Sequence, residues 1–85
     1  MKIQLRFFAS VREALGVSEE TVIVPDTVGT VGDVRQWLVQ RGDVWAETLA
    51  SNTALRMAYD HVMCDPETAI ADGGEVAFFP PVTGG

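Results

Sequence analysis

Glu75-Val76-Ala77-Phe78-Phe79-Pro80-Pro81-Val82-Thr83-Gly84-Gly85, residues 75–85, reads as a strand brought to a stop and then a tail. Glu75 to Phe79 alternates, placing Val76 and Phe78 on one face and Phe79 on the other. Pro80 and Pro81 have no amide hydrogen to give to a sheet ladder, so an inner strand has to end at Phe79 and the chain beyond it is held extended. Asp72-Gly73-Gly74, just before the strand, is a turn with capacity for positive φ. The matching segment at the other end of the chain is Lys2 to Phe7. There Ile3, Leu5 and Phe7 share one face, while Lys2, Gln4 and Arg6 share the other. How these two strands meet decides the fold.

Between them the pattern changes period. Ala9 to Leu15 carries Val11, Ala14 and Leu15 at helical spacing, with Ser10 as the expected cap and Gly16 placed to end the helix. Thr21 to Val24 is β-branched throughout and stops at Pro25-Asp26, where a hairpin-like return of the chain is expected. The main helix runs from Val31 to about Arg41. Its apolar stripe is Val31, Val34 and Leu38 with Trp37 beside it, and its polar side carries Arg35 and Gln36. Thr30 caps this helix, Asp33 suits its first turn, and Arg41 and Gly42 suit its end. Asp43 opens a further short turn through Val44, Trp45 and Leu49 that lays Trp45 over the edge of the core. Leu55 to Tyr59 and Val62 to Cys64 read as short strands around an Asp60-His61 corner, and Asp65-Pro66 breaks the chain again.

This order predicts an α+β fold, a mixed sheet with one main helix packed on one face and an extended C-terminal tail. With the last strand returning parallel to the first in mid-sheet, the arrangement is a β-grasp, as in ubiquitin. A ferredoxin-like sandwich would need two long helices, and only one is present. Residues 1–79 then form the domain and 80–85 the tail.

The chain has 85 residues, which is one small domain, and 47% of them are hydrophobic, enough for a real core. Lys2, Arg6, Arg12, Arg35, Arg41 and Arg56 face twelve carboxylates, for a net charge of −6. Six dispersed cations cannot build the basic patch that nucleic acid or an anionic membrane demands, and a basic protein partner fits the overall charge better. The lone Cys64 can form no internal disulfide. Met1 to Phe8 alternates polar and apolar residues, unlike a signal peptide, and no apolar run is long enough for a membrane helix. A cytoplasmic location is expected.

Side chains capable of chemistry are scarce. The sequence has no CxxC, HxxxH, P-loop or GxGxxG, so no metal site or nucleotide cradle of familiar spacing is expected. Nucleophilic catalysis would have to combine His61 with Cys64, and their odd separation on a strand points them to opposite faces. Glu19-Glu20 fits a solvated face better than an acid/base pair. The chain is not expected to be an enzyme on its own. The tail is the informative segment. Pro80 to Gly85 can reach at most about 20 Å beyond the sheet, and two terminal glycines can thread a tunnel too narrow for larger residues. A frayed end fits the composition as well. A terminal carboxylate, with a pKa of about 3.3 to 3.7, is ionised at pH 7 and inert as an acyl donor until adenylation supplies a leaving group. A carrier of that kind needs no catalytic side chain. Phe79, opposite Val76 and Phe78 and next to Pro80 and Pro81, is expected in an exposed apolar patch that marks an interface. Alternation puts Phe7 in the core and leaves Phe8 open between core and interface.

Two runs carry a resemblance that spans essentially the whole chain: Phe7-Phe8-Ala9-Ser10-Val11-Arg12-Glu13, and Asp72 to Gly85. They resemble the small-subunit family of molybdopterin synthase, the sulfur carriers also called molybdopterin-converting factor small subunits. Ala58-Tyr59-Asp60-His61 departs from the Asn-containing turn that members often carry there. The resemblance implies a β-grasp fold and the following route. An adenylyltransferase of the ubiquitin-activating type uses ATP to adenylate Gly85, and a sulfurtransferase system replaces one carboxylate oxygen with sulfur. The thiocarboxylate then enters the large synthase subunit and attacks cyclic pyranopterin monophosphate, two transfers building the molybdopterin dithiolene. It implies a heterotetramer with two large subunits at its centre, with the active site on the large subunit. By residue, Gly85 carries sulfur, Gly84 gives clearance, Val82 and Thr83 line the tunnel, and Phe79, Pro80 and Pro81 meet the partner. No cofactor or metal is expected on the chain itself. Two alternatives use the same tail: a sulfur carrier for thiazole or tRNA thiolation, and a ubiquitin-like modifier. Lys2, the single lysine, limits the modifier to one side-chain acceptor site of its own.

Overall fold

The computed structural model describes residues 1–81, so the expectations for Val82, Thr83, Gly84 and Gly85 lie outside the described residues. Among those described, the strands are β1 (Lys2–Phe7), β2 (Glu19–Ile23), β3 (Arg56–Tyr59), β4 (Val62–Cys64) and β5 (Glu75–Phe79). The helices are α1 (Ala9–Leu15), α2 (Val31–Val39) and α3 (Asp43–Leu49). The strands form one sheet in the order β2-β1-β5-β3-β4. β1 and β5 run parallel at its centre, with Leu5 beside Val76 and Phe7 beside Phe78, and the other pairs are antiparallel. This is the expected β-grasp.

Alternation along each strand makes one face apolar, and the helices bury that face. Ile3, Leu5 and Phe7 of β1, Val76 and Phe78 of β5, and Met57 of β3 meet Val11 and Leu15 of α1, Val31, Val34 and Leu38 of α2, and Leu49 of α3. Phe7 is the aromatic centre, lying 6.2 Å from the Phe78 ring and meeting Trp45 edge-on at 5.7 Å. The expectation for Trp45 therefore holds.

The start of β5 is pinned to the start of β1. Lys2 N–H donates to Asp72 Oδ1 at 2.6 Å, Gly73 N–H to the Lys2 carbonyl at 2.7 Å, and Gln4 N–H to the Gly74 carbonyl at 2.9 Å. Gly73 takes φ +86°, as the turn requires. Gly74 is needed for a different reason, because a Cβ there would overlap the Tyr59 phenol. That phenol oxygen accepts from Ala71 N–H at 2.8 Å. Between β3 and β4, Asp60 and His61 both adopt positive φ, 47° and 70°, the two-residue geometry that matches strand twist in a tight hairpin. Asp60 secures the corner by exchanging two hydrogen bonds of 2.9 Å with the Glu75 backbone, one through its N–H and one through Oδ1.

Several local expectations are corrected. Ser10 does not cap α1: the helix begins at Ala9, the capping position is Phe8, and no side chain caps it. No hairpin follows Pro25-Asp26, because β2 is an edge strand and the chain leaves the sheet there to enter α2. Val28 N–H donates to the Pro25 carbonyl at 3.0 Å to close that bend. α2 ends at Val39, short of Arg41, while residues 43–49 form a full helix. Thr30 does cap α2, its hydroxyl accepting from Asp33 N–H at 3.1 Å. Nor is Glu20 simply solvated. Arg41 grips it through two hydrogen bonds of 2.7 and 3.0 Å, and the same guanidinium sits 4.3 Å from the Trp45 ring centre. This contact ties β2 to the end of the main helix.

Arg35 is the largest correction. Expected on the polar side of α2, it is buried. Its Nε donates to the Leu49 carbonyl at 2.7 Å, and Nη2 donates to the Thr53 carbonyl at 2.7 Å and to the Ala50 carbonyl. Leu49 and Ala50 lie at the C-terminal end of α3, where carbonyls lack helical partners and the helix dipole is negative. The buried cation is thus balanced by aligned carbonyls where a carboxylate would be usual. Burial lowers its pKa from the ordinary value.

Two measurements check these contacts. Arg35→Met keeps the apolar stem and strands three carbonyls, so chemical denaturation should show a loss of about 2 to 4 kcal/mol. Arg41 hydrogen bonds hold the Glu20 carboxyl below its ordinary pKa, so the folded chain binds fewer protons there than the unfolded one. The stabilisation is therefore present above about pH 4.3 and fades as pH falls through the lowered value. Glu20→Gln should cost about 0.5 kcal/mol near pH 7, and its melting curve should converge with wild type in acid.

Candidate functional site

The root of the tail sits at one end of the central strands. β5 stops at Phe79 and is followed by Pro80 and Pro81, neither in a strand. Phe8 N–H still donates to the Phe78 carbonyl, at 3.3 Å, so β1 stays beside β5 for one rung past its last strand residue. Because β1 and β5 are parallel, Phe8 and Phe79 arrive at the same end of the sheet. Both point to the face away from the helices, and their rings meet edge-on at 6.4 Å.

That outer face is apolar around them. Registers place Arg6 beside Ala77, Ala77 beside Ala58, and Ala58 beside Met63, with Arg56 beside Phe79. Ala58 and Ala77 are buried by their larger neighbours, while Phe8 is 41% and Met63 53% exposed. A low floor of alanines thus lies between an aromatic pair and a methionine, with arginines on two sides. Phe79 does face away from Val76 and Phe78, as expected, but it is only half-buried because Phe8 stands against it. Phe8, left open by alternation, belongs to this surface and is the more exposed ring. Phe7 is 1% exposed and is core.

Sequence reading missed Met63, Ala58 and Ala77 as part of the patch. Ala77 could have been found from alternation along β5. Met63 could not, because its face depends on the two-residue length of the Asp60-His61 turn.

His61 is on the hairpin turn with Nε2 3.4 Å from Glu75 Oε2. Cys64 pairs with Met57 on the inner face of β4. Burial pushes the Cys64 thiol up, and nearby Asp65 adds to this against a hydrogen bond from Thr68, so thiolate is disfavoured at neutral pH. Glu19 stands 3.7 Å from Arg6 and Glu20 is held by Arg41, which separates the two carboxylates. Among the described residues, no group of three or more His, Cys, Asp or Glu is placed to hold a metal ion. No helix among them is long and apolar enough to cross a membrane.

Residues 5–85 match the ThiS family. The chain is 40% identical over 83 residues to the molybdopterin synthase sulfur carrier subunit of Haemophilus influenzae, covering 98% of this chain and 99% of that one. It is 37% identical over 93 residues to small archaeal modifier protein 3 of Haloferax volcanii, covering 100% of both. Among solved structures, the crystal structure of SAMP1 from Haloferax volcanii superposes with a TM-score of 0.76 at 28% identity, covering 100% of each chain.

The two phenylalanine pairs should respond differently to truncation. Phe8→Ala should lower stability by about 1 kcal/mol, the value of an edge-to-face pair. Phe78→Ala should cost about 3 to 5 kcal/mol, because it opens a cavity in the core. Denaturant titration of both variants measures the difference.

Proposed function

The chain belongs to the ThiS family, and we propose that it is the sulfur carrier subunit of a molybdopterin synthase, with the carboxylate of Gly85 as its reactive group. The observation that carries this reading is the 40% identity, over nearly all of both chains, to a protein of that name. The architecture supports it: the last strand ends on prolines beside an apolar surface patch. In this reading, residues 1–79 are the folded body and 80–85 the working tail.

The chemistry follows from the inertness of a carboxylate. A Gly85 oxygen attacks the α-phosphorus of ATP, held by an adenylyltransferase of the ubiquitin-activating type, and pyrophosphate leaves. A persulfide sulfur on a sulfurtransferase then attacks the acyl carbon, AMP departs with the former carboxylate oxygen, and a thiol takes the sulfurtransferase sulfur from the resulting acyl disulfide, leaving a thiocarboxylate. The charged tail enters the large synthase subunit, where the active site lies, its sulfur attacks cyclic pyranopterin monophosphate, and water then cleaves the acyl–sulfur bond, leaving sulfur on the substrate and returning Gly85 as a carboxylate. Two such deliveries complete the dithiolene, in a heterotetramer with two large subunits at its centre. Gly84 lets the tail through a narrow channel lined against Val82 and Thr83, while Phe8, Phe79, Pro80 and Pro81 rest on the channel mouth. ATP belongs to the activating enzyme, the small subunit itself holds no cofactor, and the route runs in the cytoplasm.

A second reading, a protein modifier joined to amines through the same carboxylate, is favoured by the 37% identity to small archaeal modifier protein 3. A sulfur carrier serving thiazole or tRNA thiolation would differ only in its acceptor. Deletion of Gly85 tests the reading. The variant should melt like wild type and give no molybdopterin when mixed with the large subunit, the activating enzyme, ATP, a sulfur donor and cyclic pyranopterin monophosphate. Molybdopterin formation by the deletion variant would reject the carrier role. Intact mass of the charged wild-type chain should show one oxygen exchanged for sulfur, whereas isopeptide adducts on lysines of other proteins would favour the modifier.

A further inference from the structure

β2 is an edge strand of the sheet, and its hydrogen-bond parity fixes what the free edge shows. The terminal amine of Met1 donates to the Val24 carbonyl and Val24 N–H to the Met1 carbonyl, both at 2.9 Å, and Phe7 N–H donates to the Ser18 carbonyl at 2.9 Å. In an antiparallel ladder such bonded pairs alternate with unbonded ones, and the two backbone groups of a residue point the same way. With Lys2 beside Ile23 and Gln4 beside Thr21, the groups of Ser18, Glu20, Val22 and Val24 therefore face β1. Those of Glu19, Thr21 and Ile23 face outward, three donors and three acceptors in a row. An edge of this kind is ordinarily blunted by lysine, proline or a bulge. β2 has none of them: it reads Glu-Glu-Thr-Val-Ile, its register with β1 is one-to-one throughout, and Pro25 lies beyond its end. Ile23, on this edge, is 70% exposed, more than any other large apolar side chain described.

We infer that β2 pairs with β2 of a second copy of this chain, antiparallel about a two-fold axis through Thr21, so that two sheets become one. Thr21 then faces Thr21 of the other copy, a favourable cross-strand pair, and Glu19 of each chain faces Ile23 of the other. Each of these pairs exchanges two N–H···O bonds, using every outward group of the edge. No neighbouring register does as well. Centring on Glu19 or Glu20 opposes like carboxylates, and centring on Val22 or Ile23 takes in Pro25, whose missing amide breaks the ladder. Charge also fits a second copy. Lys2 sits beside Ile23 on β1 and makes no ion pair among the described residues. In the joined sheet it lies two strand spacings, about 10 Å between backbones, from Glu19 of the other copy. A lysine and a glutamate side chain span that gap over Ile23, and the Glu19 side chain is 59% exposed. The net charge of −6 on each copy opposes association, and so short an edge buries less than the roughly 1,200 Å² of a standard interface, so the pair is reversible. It leaves β5 of the two copies five strand spacings apart, about 24 Å, with their ends pointing in opposite directions and both tail roots uncovered.

Sedimentation equilibrium of the full chain should show a reversible monomer–dimer equilibrium, with dimer the major species at about 1 mM. Amide hydrogen exchange at Glu19, Thr21 and Ile23 should slow about threefold between dilute solution and that concentration, while the Val22 amide, already bonded to β1, should not respond. Thr21→Pro removes the central outward amide at a position where an edge strand tolerates proline, and should weaken association about tenfold or more with the far-ultraviolet circular dichroism unchanged. Ile23→Lys, at an exposed position, should do the same without altering the ladder. Lys2→Glu should weaken association about threefold, by setting two carboxylates together. A chain that stays monomeric at about 1 mM, or a dimer that survives both Thr21→Pro and Ile23→Lys, would overturn the inference. The Gly85 deletion tests the carrier reading separately, so the two stand or fall independently.

Discussion

The parallel pairing of β1 with β5 is the constraint on which the rest of the molecule depends. Strands from the two ends of the chain lie side by side in mid-sheet, so their pairing cannot close until the chain between them has crossed over. Once paired, they put Leu5 against Val76 and Phe7 against Phe78 under the helices. Running in the same direction, they also deliver Phe8 and Phe79 to the same end of the sheet. The core and the tail root are therefore consequences of a single register. A slip of one residue would turn Phe78 outward and Phe79 inward, losing both.

Around that pair, polar contacts are spent on holding elements in place. Arg35 joins α2 to the end of α3 and the segment after it through three backbone carbonyls, and Arg41 joins β2 to Trp37 and Trp45. Asp60 and Tyr59 secure the β3–β4 hairpin and the approach to β5. These contacts leave the outer face of the sheet uncovered near the tail, where Phe8 and Met63 stay exposed in the isolated chain. A domain of this size has little apolar surface to spare for anything but its core, so an apolar patch at the tail root has a cost that only a partner recovers.

The long-range layout was legible in the amino-acid order because it follows from period and from punctuation. Alternation identified β1 and β5, the 3.6-residue stripe identified α2, Thr30 and Asp33 marked its start, and Pro80-Pro81 set the end of the last strand. Local propensity was a poorer guide where a long side chain or a turn overrode it. Ser10 is a good capping residue one position too late, and Arg35 reads as polar surface because periodicity records where a Cα faces, not how far a guanidinium can reach.

What the residue order determined alone is the pattern of faces and the point at which the last strand has to stop, since both follow from side-chain period and from the missing amides of proline. What only the tertiary structure decided is which residues share a surface with the end of that strand. Phe8, Ala58 and Met63 come from three different strands or their ends, and they become neighbours of Phe79 only through strand order and through a two-residue turn held by Asp60. The Nε of Arg6 is of the same kind: it is left without a hydrogen-bond partner among the described residues only because the surrounding chain has fixed where the acceptors lie.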